Sequence, residues 1–397
     1  MDISFHDAIK ERLIKEFAGI FGDSKGVSVF FAPGRVNLIG EHTDYNGGHV
    51  LPCALTIGTY AVVRIREDDL LNMYSVNFPD DGITTGKIGE LVPRGVSNWS
   101  AYPKGMIYTF AKEGMSIEKG LDMLVYGNIP NGSGLSSSAS IEMLMGHILR
   151  EMYGFEFDNV KLALLGQKSE NEFNGVKCGI MDQFAISMGK DSSAIFLNTN
   201  TMEYEYVPVD TGDAVLIIAC TNKKRGLGDS KYNERRSECE QALELINKET
   251  GRSLNGLCEL SVEEFDSVSD CIKDAVIKKR AKHAVYEDAR TVSAVRMLAS
   301  GDLKGFGELM TSSHISLKDD YEVTGDELDT IVEEALKCDG VYGARMTGAG
   351  FGGCSVNLVK KSYADDFIKN VGAGYKSKIG YDASFYIVNI GNGPMNL

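Results

Sequence analysis

Arg35, Glu41, His42, Asp44 and His49 fall within one glycine-rich segment, FAPGRVNLIGEHTDYNGGHVLP, at the end of the apolar run VSVFFAP. Carboxylates accept hydrogen bonds from sugar hydroxyls, and histidine can accept or donate. Arginine can offset charge on an oxygen nucleophile or on a phosphoryl group in transit. A surface loop rarely carries so much polar chemistry. A transition-metal set is the other use for such side chains, but their spacing matches no helical zinc signature and no cysteine lies at useful distance.

Three more segments have chemical content. In NIPNGSGLSSSASIEMLMGHIL a strand feeds a Gly/Ser loop and then a helix with Ser136, Ser137 and Ser138 in its first turn. Gly132 and Gly134 keep the loop free of β-carbons, so that backbone N–H groups at a helix start can reach an anion, while serine hydroxyls can donate to phosphate or approach its magnesium ion. The Walker lysine and the third glycine of the dinucleotide fingerprint are missing, and by itself the loop reads equally as a turn with a serine cap. In SENEFNGVKCGIMDQF, Glu170 closes a helical stretch and Asp182 follows a tight turn. Two such carboxylates suit separate duties, one toward magnesium and one toward the nucleophile; a solvated surface is the plainer reading. In GARMTGAGFGGCSVNLV, Gly343, Gly348, Gly350, Gly352 and Gly353 lie between a helix and a strand. Their entropic cost is easiest to explain where backbone must approach a ligand or another loop, with structural packing as the alternative. His6, His147, His283 and His314 have no constellation around them, and no Gly-x-Ser-x-Gly nucleophile elbow occurs.

These segments sit at the joints between regular elements. Ile9, Leu13, Phe17 and Ile20 predict a helix ending near Gly22, and VSVFFAP a strand that Pro33 and Gly34 terminate. Residues 59–68 and 121–127 read as strands, and 136–153 and 158–173 as helices. The pattern turns polar and irregular between Asn200 and Asp210; AVLIIACTN then predicts a strand and the segment from Ser230 a long helix. Thr324 and Glu327 form a capping-box signature before the helix carrying Leu328, Ile331, Val332 and Ala335. CSVNLVK and SFYIVNIG supply later strands, with a helix around YADDFIKNVG between them. Strands and helices alternate in both halves, which argues α/β or α+β, with a boundary near 200 separating 1–200 from 201–397.

The 397 residues, 43% hydrophobic, suffice for two buried cores. The formal charge of -15, from 41 basic against 56 acidic residues, disfavours nucleic acid as the main partner. Of the local basic clusters, NKKRG (222–226) is a candidate patch and KKRAKH (278–283) reads as a solvated helix face. No window approaches the roughly 18 consecutive apolar residues of a membrane span. Eight scattered cysteines and the absence of a basic leader before an apolar block predict a reduced, cytoplasmic protein.

Taken together, four segments make the chain resemble the galactokinases of the GHMP kinase superfamily. GRVNLIGEHTDYNGG is similar to the long galactokinase signature, GLSSSASIE to the nucleotide-phosphate loop, CGIMDQF to the segment with the catalytic aspartate, and MTGAGFGGC to the third superfamily motif. The resemblance implies an α+β fold with a ribosomal-protein-like N-terminal domain, a ferredoxin-like C-terminal domain and an active site between them. It implies transfer of the γ-phosphoryl group of MgATP to the 1-hydroxyl of α-D-galactose by a monomer, giving α-D-galactose 1-phosphate and ADP, the entry step of the Leloir pathway.

Carried onto this sequence, it makes Asp182 the catalytic carboxylate and Arg35 its partner. Glu41, His42, Asp44, Gly179 and Tyr232 become sugar contacts; residues Gly132, Ser133, Gly134, Leu135, Ser136, Ser137 and Ser138 wrap the nucleotide phosphates; Ser138 and Glu170 adjoin magnesium. Trp99, the only tryptophan, stands where the family has a residue near adenine, and a core aromatic is its other reading. Two departures stand out: Asn171 replaces a histidine found in some members, and TNKKRGLGDSKYNERR differs from the usual segment while keeping Tyr232 and Arg235. An N-acetylgalactosamine kinase, and a sugar-binding transcriptional sensor, are the competing readings.

Overall fold

The computed structural model describes residues 3–93, 95–130, 134–223 and 228–397. Helix α1 (Ile3–Phe21) forms where the apolar spacing predicts, and strand β1 (Ser28–Asn37) follows. Leu13 and Phe17 of α1 are fully buried against Phe31 of β1, Tyr60 and Val62, each worth roughly 1.5–3 kcal/mol. The chain continues through β2 (His49–Val50), β3 (Pro52–Ile65), β4 (Leu70–Ser75), β5 (Thr84–Lys87), α2 (Ala101–Lys112) and β6 (Leu121–Gly127). Helices α3 (Ser137–Tyr153), α4 (Asn159–Lys168) and α5 (Met181–Ser187) precede β7 (Ser193–Asn198) and β8 (Tyr204–Pro208).

The second half begins with β9 (Ala214–Cys220), then α6 (Gly228–Thr250), α7 (Val262–Val268), α8 (Ala275–Ala299), α9 (Leu303–Asp319) and α10 (Asp326–Leu336). It ends with β10 (Val341–Thr347), β11 (Cys354–Lys360), α11 (Ala364–Ile379), β12 (Ser384–Val388) and β13 (Met395–Asn396). Strands β10-β11-β9-β12 form one antiparallel sheet. A central first strand, a hairpin on one side and the last strand on the other make the ferredoxin-like βαββαβ pattern that the resemblance implies.

The N-terminal sheet runs β13-β1-β3-β6-β4-β5, and a third sheet runs β2-β7-β8. Two connections therefore cross the expected division at residue 200: β8 extends the third sheet past it, where sequence suggests only irregular chain, and β13 returns to pair with β1. A shared apolar cluster also joins the halves, packing Val36, Leu38 and Leu51 with Leu216, Ile218, Phe306 and Val356.

Several local expectations change. β1 does not stop at Pro33 and Gly34 but passes through a bulge between Pro33 and Arg35. The bulge frees the Arg35 N–H to bond the Leu135 carbonyl at 3.2 Å, which ties β1 to the Gly/Ser loop. The predicted helix 158–173 is α-helical only to Lys168 and then widens into a π-turn, Ser169–Asn174, a distortion that frequently marks functional sites. α10 starts from Gly325 with no side-chain cap, and Glu327 instead pairs with Lys223 at 2.8 Å. KKRAKH is not a solvated face throughout. Arg280 is buried between Glu238 and Glu322, and His283 is fully buried. Of NKKRG, Lys224, Arg225 and Gly226 lie outside the described residues. Nor are all eight cysteines free thiols: Cys220 and Cys354, directly opposite in the β9–β11 ladder although 134 residues apart, form a disulfide. Sheet register, invisible in spacing, brings them together. No helix among the described residues is long and apolar enough to cross a membrane.

Candidate active site

Between the two halves lies a cavity of about 710 Å³, within the size range of small-ligand sites. At its centre Asp182, in the first turn of α5, meets Arg35 at the β1 bulge. Arg35 Nε donates to Asp182 Oδ1 and Nη2 to Oδ2, both at 2.8 Å, the bidentate arrangement that fixes a carboxylate in one plane. Arg35 Nη1 also donates to the Gly134 carbonyl at 2.6 Å. The Ser136 hydroxyl donates to Asp182 Oδ2, and Ser136 holds a positive φ of 60° to present it. The arginine is only 5% exposed, whereas the carboxylate is 31% exposed toward the cavity, so the pair offers its negative side to whatever binds there.

Glu41, His42, Asp44, Gly179 and Tyr232 line the cavity as well. Glu41 Oε1 accepts from the Gly348 N–H at 2.7 Å and from Arg345 Nη1 at 3.4 Å, so the glycine-rich third motif is used to bring backbone against the first. His42 is held near the bond-forming Tyr45 hydroxyl, 2.8 Å from Nδ1, and Tyr45 continues to Tyr321 at 2.8 Å. Burial, reinforced by His283 and Arg345, lowers the His42 pKa to about 3, so its ring is neutral near pH 7. Enclosure at the cavity wall, then the charges of Asp182 and Glu41, raises Asp44 to about 7. Near neutrality Asp44 can therefore both accept and donate a hydrogen bond. Tyr232 packs edge-on to Tyr45, with ring centroids 5.4 Å apart.

Gly179 faces Asp44 so closely that a β-carbon there would lie 1.7 Å from Asp44 Oδ2. Gly179→Ala must displace that carboxylate, and errors of about 1 Å in such positioning can cost on the order of 100-fold. We expect the variant to raise the Michaelis constant of the sugar substrate at least about tenfold, read by steady-state kinetics; an unchanged value would show that Asp44 does not position the sugar.

Ser138, Glu170, Asn174, Cys178 and Gln183 also line the cavity. Behind Glu170, and missed by the sequence reading, lies fully buried Glu142, which accepts from Asn174 Nδ2 at 3.1 Å and Gln183 Nε2 at 3.4 Å. Burial and the neighbouring Glu170 push Glu142 far above the usual carboxylate range. Ser138 and Glu170 supply only oxygen donors, as a magnesium ion that keeps water and phosphate ligands requires. No larger metal-binding cluster of His, Cys, Asp and Glu occurs among the described residues.

The remaining nucleotide candidates are dispersed. Gly132 and Ser133 lie outside the described residues. Gly134 and Leu135 give their carbonyls to Arg35, Ser136 bonds Asp182, and Ser137 is exposed. Trp99 packs against the core formed by α2, α3 and the N-terminal sheet and does not line the cavity, whereas Tyr102, one turn away, does. The composition of YPKG around Tyr102 gave no signal for this.

Comparison with known proteins fits this arrangement. Residues 15–65 match the galactokinase galactose-binding signature, 101–190 the GHMP kinases N terminal domain, and 294–377 the GHMP kinases C terminal model. A galactokinase of Clostridium beijerinckii is 57% identical over 370 residues, covering 93% of this chain and 95% of that protein. The chain belongs to the galactokinases. A family member from Lactiplantibacillus plantarum is 52% identical, across 97% of this chain and 99% of its own. The crystal structure of Lactococcus lactis galactokinase complexed with galactose superposes with a TM-score of 0.95 at 49% identity, covering 98% of this chain and all 100% of the other. Mevalonate kinase of Methanococcus jannaschii, at 19% identity and a TM-score of 0.65 over 92% of this chain and 98% of its own, shares the fold. Both the family and the two-domain α+β architecture expected from the sequence hold, and ATP use follows from that fold.

Proposed function

We propose that this chain is an ATP-dependent sugar 1-kinase that transfers the γ-phosphoryl group of MgATP to the 1-hydroxyl of α-D-galactose, giving α-D-galactose 1-phosphate and ADP. The observation that carries the reading is the Arg35–Asp182 pair lining one cavity together with Glu41, His42 and Asp44 and with Ser138 and Glu170, in a chain so similar to galactokinases. In this reading Glu41, His42, Asp44, Gly179 and Tyr232 bind the sugar hydroxyls. Residues 132–138 and the region of Trp99 receive the nucleotide. Residues 1–200 supply most of the sugar and nucleotide site, and 201–397 complete it.

Phosphoryl transfer asks the protein mainly to position reactants and to stabilise charge. Asp182 accepts a hydrogen bond from the sugar 1-hydroxyl, aligns its oxygen with the γ-phosphorus and takes up the proton as the new O–P bond forms. Arg35 holds the carboxylate in place and offsets the negative charge gathering beside it. Glu41, Asp44, Glu170 and Asp182 line the cavity, which on their own would repel a triphosphate. Ser138 and Glu170 are the residues placed to hold magnesium, whose charge would neutralise the phosphate oxygens. The expected monomeric state and cytoplasmic location complete the reading, with galactose and ATP as the partners and neither nucleic acid nor membrane.

The test is ADP release by the purified protein with galactose, N-acetylgalactosamine, galactosamine, glucose and mevalonate, first with magnesium and then with a chelator. Magnesium-dependent turnover on galactose supports the proposal. Preference for N-acetylgalactosamine would move the chain to a sister specificity, and galactose binding without turnover would make it a sensor.

A further inference from the structure

Glu287, on α8 in the C-terminal half, does not line the cavity and is fully buried, yet its carboxylate is spent on the sugar loop. Oε1 accepts from the Gly40 N–H at 3.0 Å, the Glu41 N–H at 3.3 Å and the Ser313 hydroxyl at 2.5 Å. Oε2 accepts from Arg290 Nε at 2.8 Å. Helix and loop are in close contact along this line, since a β-carbon at Gly40 would stand 2.9 Å from Thr291 Oγ1, one turn further along α8.

One turn earlier on the same helix, His283 completes the grip. Its Nε2 lies 3.1 Å from the Glu41 carbonyl and its Nδ1 2.9 Å from the Ser316 hydroxyl. Burial lowers the His283 pKa to about 4, so the ring is neutral near pH 7. A carbonyl can only accept, which places the single ring proton on Nε2 and makes Nδ1 the acceptor from Ser316. Both backbone groups of Glu41 are thus held by α8, while its side chain is held by Arg345 and the Gly348 N–H. Glu287 resists protonation because Arg290, His283, Arg345 and the Ser313 hydroxyl outweigh its burial, bringing its pKa to about 2. The two buried carboxylates, Glu287 and Glu41, face two arginines, Arg290 and Arg345.

We propose that Glu287 is a positioning residue of the sugar site, which sets the Gly40–Glu41 backbone from the opposite half of the molecule and so decides affinity for the sugar without touching it. The sugar assignment rests on the function proposed above; the anchoring of the loop does not.

Glu287→Gln, which keeps the shape and one acceptor oxygen but loses the charge, tests both parts on the full-length protein. Hydrogen exchange at the Gly40 and Glu41 amides should accelerate at least about tenfold relative to wild type, while exchange in the β9–β11 ladder stays unchanged. Galactose binding by calorimetry, without nucleotide, should weaken about tenfold, with the Michaelis constant for ATP within about twofold of wild type. Ser313→Ala, which removes one donor from the same oxygen, should move both readouts in the same direction by a smaller factor. Unchanged amide exchange in both variants, or a rise in the ATP constant equal to that for galactose, overturns the proposal. If wild-type protein binds no galactose, the sugar assignment falls, and amide exchange still decides whether Glu287 anchors the loop.

Discussion

Asp182→Asn is expected to lower turnover by about three to four orders of magnitude while the protein remains folded, because in the proposed reaction it removes the carboxylate that receives the hydroxyl proton. Asparagine is nearly isosteric, and its amide oxygen can still accept from one Arg35 nitrogen. Its NH2 group then faces the other nitrogen, where a 2.8 Å hydrogen bond was made. Arg35 is left nearly buried with two of its three side-chain hydrogen bonds and no carboxylate charge beside it, so a modest fall in melting temperature is expected alongside the loss of activity. Arg35→Ala should be comparably inactive, since it releases both Asp182 and the Gly134 carbonyl. Because the two side chains act as one unit, the double variant should be scarcely worse than either single one. The measurements are kcat under saturating ATP and galactose, and thermal unfolding of each protein. Near-wild-type turnover in either single variant, or additive losses in the double, would remove this pair from the centre of the reaction.

The side chains at the centre of this site were legible in the sequence because their chemistry is concentrated in short segments. Arg35, Glu41, His42 and Asp44 come from one short segment, and Gly179 and Asp182 from another, so local spacing already groups them. Strands such as β9 and β11 were legible for a similar reason, as short apolar runs flanked by turn residues. What escaped is what depends on contacts between distant segments. His283 reads as an isolated histidine in a basic helix, and only the packing of α8 on the sugar loop gives it the Glu41 carbonyl as a partner. Glu287 and Arg345 carry no distinguishing local pattern, yet both are fully buried: Glu287 accepts from the Gly40 N–H and Arg345 donates to the Asn37 carbonyl, each more than 200 residues away in sequence, while the cation beside Glu287, Arg290, is only one turn along its own helix. The Cys220–Cys354 pairing was hidden in the same way by sheet register. Pro33 and Gly34, taken as a strand end, mark a bulge instead; the local breaker signal was correct, but the pairing with β3 continues beyond it.

Arg345→Met should be the most destabilising single substitution in the site, by about 3–5 kcal/mol, the usual consequence of removing one member of a buried ion pair. Arg345 is fully buried; Nη1 donates to the Asn37 carbonyl at 3.0 Å and lies 3.4 Å from Glu41 Oε1, and Nε donates to Ser313 Oγ at 3.2 Å. Methionine fills much of the volume but satisfies none of these acceptors. The Asn37 carbonyl retains the Thr347 hydroxyl at 3.2 Å, so the larger loss falls on Glu41, a buried carboxylate left with the Gly348 N–H as its side-chain donor and no cation beside it. That charge can be relieved by drawing water to it, which opposes the sugar binding proposed for Glu41. The variant should therefore unfold at lower urea concentration and also lose most of the stabilisation that saturating galactose gives the wild type, since a ligand stabilises only in proportion to its affinity for the folded state. A urea midpoint within the equivalent of about 1 kcal/mol of wild type, with the galactose-dependent shift intact, would show that Glu41 does not depend on Arg345.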